Sequence, residues 1–386
     1  MDIRKTLFTI LSVCLSLSAF AQSDWDASEA NAAYDFQEYQ KAFELYKECF
    51  ETDSTQIHCY ERGAQSAYRL GDIPNAKQLF HKLEEIDTFN RIALSQLSAI
   101  YELEKNAPKA IKYYTKLRNL FPENPVYHRK LGQQYQAAGL MTEAFENYSA
   151  AYKLNKRDMF SIQGIAEIFI ANKQYEEADS LLLEGLSLDS LNVNFSLLIA
   201  QSKYRQKLFD STVHYLERIQ YEIDFSPYFN KMFGYAYIQI DSFEKSIPLL
   251  EKSLIDEGSK EYAHYYLATA YESMDSTEWS LYHYEKALDE GISSNTDLYH
   301  RNLARMYNDA GKLREAIEHY KDAYKYGEDP LVLFYLARAC DIYYKDKSVA
   351  VNYYSKYIRS SEPTVEYKQY AKDRRQILRE QMHQGM

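Results

Sequence analysis

Residues 125–154 read PVYHRKLGQQYQAAGLMTEAFENYSAAYKL. Leu131-Gly132 and Tyr135 lie before a turn near Gly139, and Ala144, Tyr148 and Ala151 lie after it. The spacing predicts two short helices with apolar residues on one side of each. Gly132 and Ala144 are small enough to let the helices touch, and the rings of Tyr135 and Tyr148 fill the space around that contact.

The unit recurs at a fixed interval. From Ala144, steps of 34 residues fall on Ala110, Ala76 and Ala42 going back, and on Ala178, Thr212, Ser246 and Ser280 going forward. Two extra residues around 290–297 carry the column to Ala316 and Ala350. A second small column agrees: Ala30, Ala64, Ser98, Gly132, Ala166, Ala200, Gly234, Ala268, Ala304 and Ala337, ten copies in all. A period of this length sustained over a chain is the signature of a stacked repeat array.

The repeat resembles the tetratricopeptide repeat (TPR), in which W-x2-L-G-x2-Y is followed by a spaced Ala, an aromatic and a second Ala. Here His128 stands in the Trp position and the closing Pro is absent. The resemblance implies an all-α fold, an α-solenoid: a right-handed superhelix of about ten helix-turn-helix repeats with a C-terminal capping helix. Length alone suggests two or three domains. A solenoid buries its core only between neighbours, so 22–361 is expected to form one continuous array.

The ends read differently. Arg4 and Lys5 precede the apolar run Leu7–Leu17, and Ala19-Phe20-Ala21 is a small-x-small cleavage site, so 1–21 reads as a bacterial secretory signal peptide. The run is too short to span a bilayer, and no later run approaches the roughly 20 residues needed. The segment 362–386 reads as the cap, an amphipathic helix over Thr364–Gln384 with Tyr367, Tyr370, Ala371, Ile377, Leu378 and Met382 on its buried side. Pro248 lies inside a helix of the seventh copy and is expected to bend it.

The net charge is −11, from 45 basic and 56 acidic residues. An acidic surface argues against nucleic acid, which needs clustered positive charge, and gives no help towards anionic lipid. After the signal three cysteines remain: Cys49, Cys59 and Cys340. Cys49 and Cys59 are placed so that a disulfide could form, but the reading adopted is three small buried core residues. No Cys-x-x-Cys offers a metal site.

No phosphate loop, H-E-x-x-H or G-x-S-x-G is present, so the chain reads as non-enzymatic, with no cofactor. His264 and His283 are 19 apart, as are His300 and His319. An echo in adjacent copies points to packing columns rather than a metal cluster.

In the resembled family the first helix of each repeat lines the concave groove. The corresponding columns of the early copies are small or polar: Ala27, Asn31, Glu61, Gln65, Ser95, Ala99, Arg129, Gln133, Gln163 and Glu167. The later copies supply Tyr228, Lys231, Tyr235, Tyr262 and Tyr265, then Arg301, Arg305, Asn308, Phe334 and Arg338. An aromatic stretch thus runs into an arginine cluster, in which Arg338 is expected to approach the other two. Two readings of the cluster stay open. It holds an acidic segment of a ligand by charge-assisted bonds, or it pairs internally with Glu272 and Asp341. The function expected is a scaffold for a protein or peptide partner in the cell envelope. The competing readings are a glycan-binding module using the groove tyrosines and a structural spacer that self-associates through its ends.

Overall fold

The computed structural model describes residues 27–255, 260–360 and 365–384. The expected signal segment lies outside them. The described residues form helices and no strand, in two compact units, Met1–Leu188 and Asp189–Met386. The first unit holds α1 (Ala27–Asp35), α2 (Tyr39–Thr52), α3 (Ile57–Arg69), α4 (Ile73–Ile86), α5 (Arg91–Leu103), α6 (Ala107–Leu120), α7 (Pro125–Ala137), α8 (Met141–Leu154), α9 (Met159–Ala171) and α10 (Tyr175–Leu188). The second holds α11 (Val193–Arg205), α12 (Phe209–Glu217), α13 (Pro227–Gln239), α14 (Phe243–Ser253), α15 (Lys260–Ser273), α16 (Thr277–Asp289), α17 (Thr296–Asp309), α18 (Leu313–Gly327), α19 (Pro330–Tyr343), α20 (Ser348–Arg359) and α21 (Val365–Gln384).

Within each unit every helix packs on the next in sequence. Odd-numbered helices α1–α19 are the first (A) and even-numbered ones the second (B) of each repeat, and α21 packs on α20. Short turns make the partners antiparallel. Each pair meets its neighbours and little else, so the core is a series of local clusters.

The period is written into the backbone. The turn from helix A to helix B carries a left-handed residue at Gln37, Gly71, Lys105, Gly139, Lys173, Lys207, Asp241 and Asp275, then, after the two-residue insertion, at Gly311. The following N–H reaches back across that turn to a carbonyl of helix A, as in Asp72 N→Ala67 O (2.9 Å), Leu140 N→Tyr135 O (2.9 Å) and Lys312 N→Tyr307 O (2.8 Å). This is the Schellman closure, which satisfies carbonyls the helix end would leave unpaired.

The small columns sit where the helices touch. All ten residues of the Ala144 column, from Ala42 to Ala350, are completely buried. Where the column is polar, each hydroxyl finds a backbone carbonyl: Thr212 donates to Leu208, Ser246 to Phe243 and Ser280 to Ala268. Gly132 faces Tyr148, as the spacing predicted, and Gly164 of the next repeat faces the same ring from its other side.

Three expectations need correction, and one repeat departs from the regular pattern. Cys49 of α2 and Cys59 of α3 are bonded to each other, 6.1 Å apart at Cα, and among the described residues Cys340 is the free thiol, which is buried. The sixth repeat has a short B helix, α12, followed by irregular chain over 218–226. On α21, Ala371 and Leu378 are fully buried, but Tyr370 and Ile377 are exposed, because helix α21 meets α20 over a narrower stripe than its sequence offers. Phe334 is buried under α21 rather than open in the groove; its ring stacks on Tyr367 at 4.8 Å. Pro248 lies inside α14, as expected.

Candidate functional site

The A helices of the second unit position the predicted groove residues. On α13 and α15 the tyrosines form a continuous ladder of ring contacts. Tyr204 meets Tyr235 at 5.8 Å, and Phe209 meets Tyr235 at 5.7 Å. Tyr235 meets Tyr266 at 4.5 Å, Tyr266 meets Tyr265 at 5.6 Å, and Tyr265 meets Tyr299 at 5.3 Å. Edge and tilted geometries of this kind are favoured by the ring quadrupole and fix the rings against one another. Burial raises the hydroxyl of Tyr235 and pushes that of Tyr204 up to about 12, so both remain neutral donors at physiological pH.

Tyr228 and Tyr262 are equivalent residues of consecutive repeats, and their rings are 44% and 43% exposed. Each hydroxyl accepts from a side-chain amide: Gln201 Nε2 at 3.1 Å from Tyr228, and Asn295 Nδ2 at 3.3 Å from Tyr262. The Lys231 ammonium stands 5.9 Å from the centre of the Tyr262 ring. Tyr266 was missed by column reading, although it adjoins Tyr265. Phe209 was missed because it opens a B helix.

The arginines of α17 are already paired. Arg301 donates through Nη1 to Asp329 (3.0 Å) and through Nη2 to Asp297 (3.1 Å), while its buried Nε–H has no partner. Arg305 donates to Glu272, the internal partner foreseen, and has Asp309 at 3.9 Å. Asp341 is not part of the cluster: it is buried and held by Arg374 of α21, 2.6 Å away, and by Lys347, 3.6 Å away. Arg338 does not join the other two in an ion-pair network. Its guanidinium lies 5.9 Å from the ring centres of Phe334 and Tyr370, and Arg305 and Arg338 both act on the hydroxyl of Tyr320. Asn308 reaches only its neighbour Asp309, at 3.3 Å.

A cavity of about 290 Å³ opens between α17 and the start of α19. Arg301, Asn302 and Arg305 line one side, and Leu298, Leu331 and Tyr335 give it apolar walls. Its charged groups nearly cancel, so it suits an apolar side chain.

The histidine columns pair across each repeat. Nδ1 of His264 lies 3.0 Å from Nδ1 of His283, and Nδ1 of His300 lies 2.9 Å from Nδ1 of His319. Tyr271 stacks on His283, Tyr307 on His319 and Tyr326 on His300. Burial lowers the pKa of all four rings, that of His283 to about 4.

The early columns are all half-buried, from Ala27 and Asn31 to Gln163 and Glu167. Several form inter-repeat bonds there, such as Arg129 with Asp158 at 3.1 Å. Among the described residues no helix is long and apolar enough to cross a membrane.

No family model matches the chain. A TPR repeat-containing protein of Methanocaldococcus jannaschii is 26% identical over 173 residues, 42% of this chain and 30% of its own length. A TPR repeat-containing protein of Bacillus subtilis is 25% identical over 154 residues, 40% of this chain and 36% of its own. The match thus spans about a third of each of these curated relatives. The solved C-terminal part of a TPR repeat-containing protein from Cytophaga hutchinsonii superposes with a TM-score of 0.50 over 62% of this chain and 98% of that one, at 15% identity, a likeness of fold. Such arrays serve protein interaction in general, through the faces that their stacked helices present. The 34-residue register and the helix pairs it builds give the chain the fold of a tetratricopeptide repeat solenoid, and in sequence it is similar to these TPR repeat-containing proteins.

Proposed function

We propose that the A-helix face of the second unit binds an extended segment of a partner protein, as a non-enzymatic scaffold in the bacterial cell envelope. The observation that carries this is the unbroken ring ladder from Tyr204 to Tyr299, close in sequence to the Arg301 cavity on α17. Tyr and Arg are the residues most enriched where binding energy concentrates. Apolar side chains of the segment lie on the rings, and one fills the cavity beside Arg301 and Arg305. Arg301 and Arg305 already hold carboxylates of their own chain, which favours a largely neutral segment over a run of acids.

Location in the envelope rests on the N-terminal leader pattern, and the Cys49–Cys59 bond supports it, since such bonds persist in oxidising compartments. The test is capture of partners by the leader-free chain from the envelope fraction, repeated with Tyr228→Ala/Tyr262→Ala. Both rings are exposed, so the variant is expected to fold normally and to lose at least tenfold in affinity. Retention of the same partners at unchanged affinity would sink the reading.

One observation favours a second reading, a glycan site. Tyr228 and Tyr262 are exposed rings whose hydroxyls are held by neutral amides, a setting that suits sugar stacking. Titration of the same two proteins with neutral oligosaccharides separates it from the first.

A further inference from the structure

A stacked array covers its inner helices on both sides and leaves its end helices open on one. On α19, Leu333, Ala337 and Cys340 share a face and are buried in one cluster with Ala350 and Tyr354 of α20. Among the described residues no helix follows α21, so the side of α21 turned away from α19 stays open. That side carries Lys368, Lys372, Arg375 and Arg379, whose spacings of four, three and four place them in one row on a helix. The row lies across the helix from Tyr370, whose ring meets Phe334 of α19 at 5.6 Å and the Arg338 guanidinium at 5.9 Å. Among the described residues none of the four makes a side-chain hydrogen bond or ion pair. Like charges at these spacings destabilise a helix, so the row has no use within the chain itself.

The other end carries the opposite charge. Residues 27–52, the first helix pair, hold six carboxylates and two lysines, a net −4, whereas α20 and α21 hold seven basic and three acidic residues, a net +4 in a chain of −11. Both lysines of the first pair are taken up within it, Lys41 by Glu29 at 2.8 Å and Lys47 by Glu51 at 3.7 Å. Asp35, Glu38 and Glu48 are exposed and, among the described residues, make no side-chain hydrogen bond or ion pair. The first pair also has an open face. Gly63 of α3 lies against Tyr46 and Phe50 of α2, and Ser66 is fully buried; their copies 34 residues earlier, Glu29 and Ala32 of α1, are exposed. Phe36, where α1 ends, is 79% exposed.

We propose that the chain associates with further copies of itself head to tail, the basic row of α21 in one copy seating on the acidic first helix pair of the next. Charge selects this arrangement. A symmetric contact of α21 with α21 would set row against row, and one between two first pairs would set carboxylates against carboxylates. The unlike ends attract, and a contact between two different surfaces leaves one of each free, so growth is open-ended. The contact uses neither the ring ladder nor the Arg301 cavity, so it stands apart from the groove reading.

The experiment is sedimentation velocity of the leader-free chain over a concentration series. The expected result is a series of oligomers that lengthens with concentration. Raising salt from about 0.01 M to about 0.1 M shortens the Debye length from about 30 Å to about 10 Å and is expected to weaken the contact at least tenfold. Lys372→Glu with Arg379→Glu, and separately Asp35→Lys with Glu38→Lys, alter exposed side chains without ion-pair partners, so both proteins are expected to fold and to stay monomeric. Mixed together they retain one native pair of ends between them, and are expected to form one-to-one dimers and nothing larger. The proposal is overturned if the wild-type chain is monomeric at millimolar concentration in low salt, or if it stops at a dimer. It is equally overturned if either variant associates like the wild type, or if the mixture stays monomeric. Binding of phosphatidylserine vesicles by a chain that remains monomeric would assign the row to a lipid surface instead and overturn it too.

Discussion

The ring of Tyr148 lies so close to the backbone of Gly132 that a methyl group added there would stand 2.7 Å from its Cδ1. Gly164 confines the ring from the opposite side, so the ring has nowhere to move. Gly132→Leu is therefore expected to destabilise the chain by about 1–3 kcal/mol through overpacking. The denaturant midpoint measures it, with the slope retained. An unchanged midpoint would show that the helices can part at this contact without loss.

The left-handed turn position is filled by glycine in only some copies. Lys105, Lys173 and Lys207 adopt it with φ of 53°, 63° and 60°. A side chain in that region costs about 1–2 kcal/mol, and the greater freedom of glycine in the unfolded chain offsets roughly 0.5–1 of this. Lys173→Gly is expected to raise stability by up to about 1 kcal/mol, and Gly139→Lys to lower it by a similar amount. A fall in thermal midpoint for Lys173→Gly would contradict the account.

The repeat columns were legible because each depends on one backbone contact that recurs every 34 residues, as Ala42 to Ser280 show. The ion pairs were not, because a long side chain can choose among partners on both neighbouring repeats. Arg305 took Glu272 on the preceding repeat, as foreseen, but Arg301 took Asp329 on the following one. Asp341 went to Arg374 on a helix that belongs to no repeat. Phe334 follows the groove column in sequence and is buried because α21 covers the last repeat. Column reading assumes an open face and fails where the array ends. The cysteines were ambiguous because a separation of 10 permits both outcomes, and only the approach of α2 to α3 selects one.

The His264–His283 pair gives the second unit a pH dependence. Lys260, Lys286, Asp289 and Glu290 face His264, and Tyr271 and Trp279 pack on His283. Burial, with the charge of His264 behind it, lowers His283 to about 4, whereas the unfolded residue titrates near 6.5. Between those values the unfolded chain binds a proton that the folded chain does not, so stability falls as pH is lowered from about 6.5 to 4. The loss is on the order of 2–3 kcal/mol. His283→Phe keeps an aromatic ring beside Tyr271 and removes the titration. Comparison of denaturation midpoints at pH 7 and pH 4.5 is expected to give a smaller drop for the variant. Equal drops in both proteins would assign the acid sensitivity elsewhere.

The Cys49–Cys59 bond closes a short loop and ties the first helix pair to the second. By loop entropy such a link is worth about 2–3 kcal/mol. Among the described residues the first pair has a neighbour on one side only, so the effect is expected to stay local. Reduction, or Cys49→Ala with Cys59→Ala, is expected to expose 27–52 to amide exchange while protection of α5 to α9 is unchanged. Uniform loss of protection would mean that the first unit unfolds as a whole.

The cap is held by one buried contact as well as by its apolar stripe. Asp341 is 7% exposed on α19, and Arg374 of α21 donates to both of its oxygens, from Nε at 2.6 Å and from Nη2 at 3.3 Å. Arg374→Ala leaves a buried carboxylate with only Lys347 nearby. Removing one partner of a buried pair is strongly destabilising, but Arg374 is one-third exposed and Lys347 remains, so the expected loss is about 1–3 kcal/mol. The loss is expected to appear as amide exchange along α21, where Ala371 and Leu378 would lose their cover. Replacing both members, as Asp341→Leu with Arg374→Met, removes the stranded charge and is expected to recover most of the stability. If the double variant is as loose as Arg374→Ala, the apolar seam alone does not hold the cap, and the ion pair is its principal fastening.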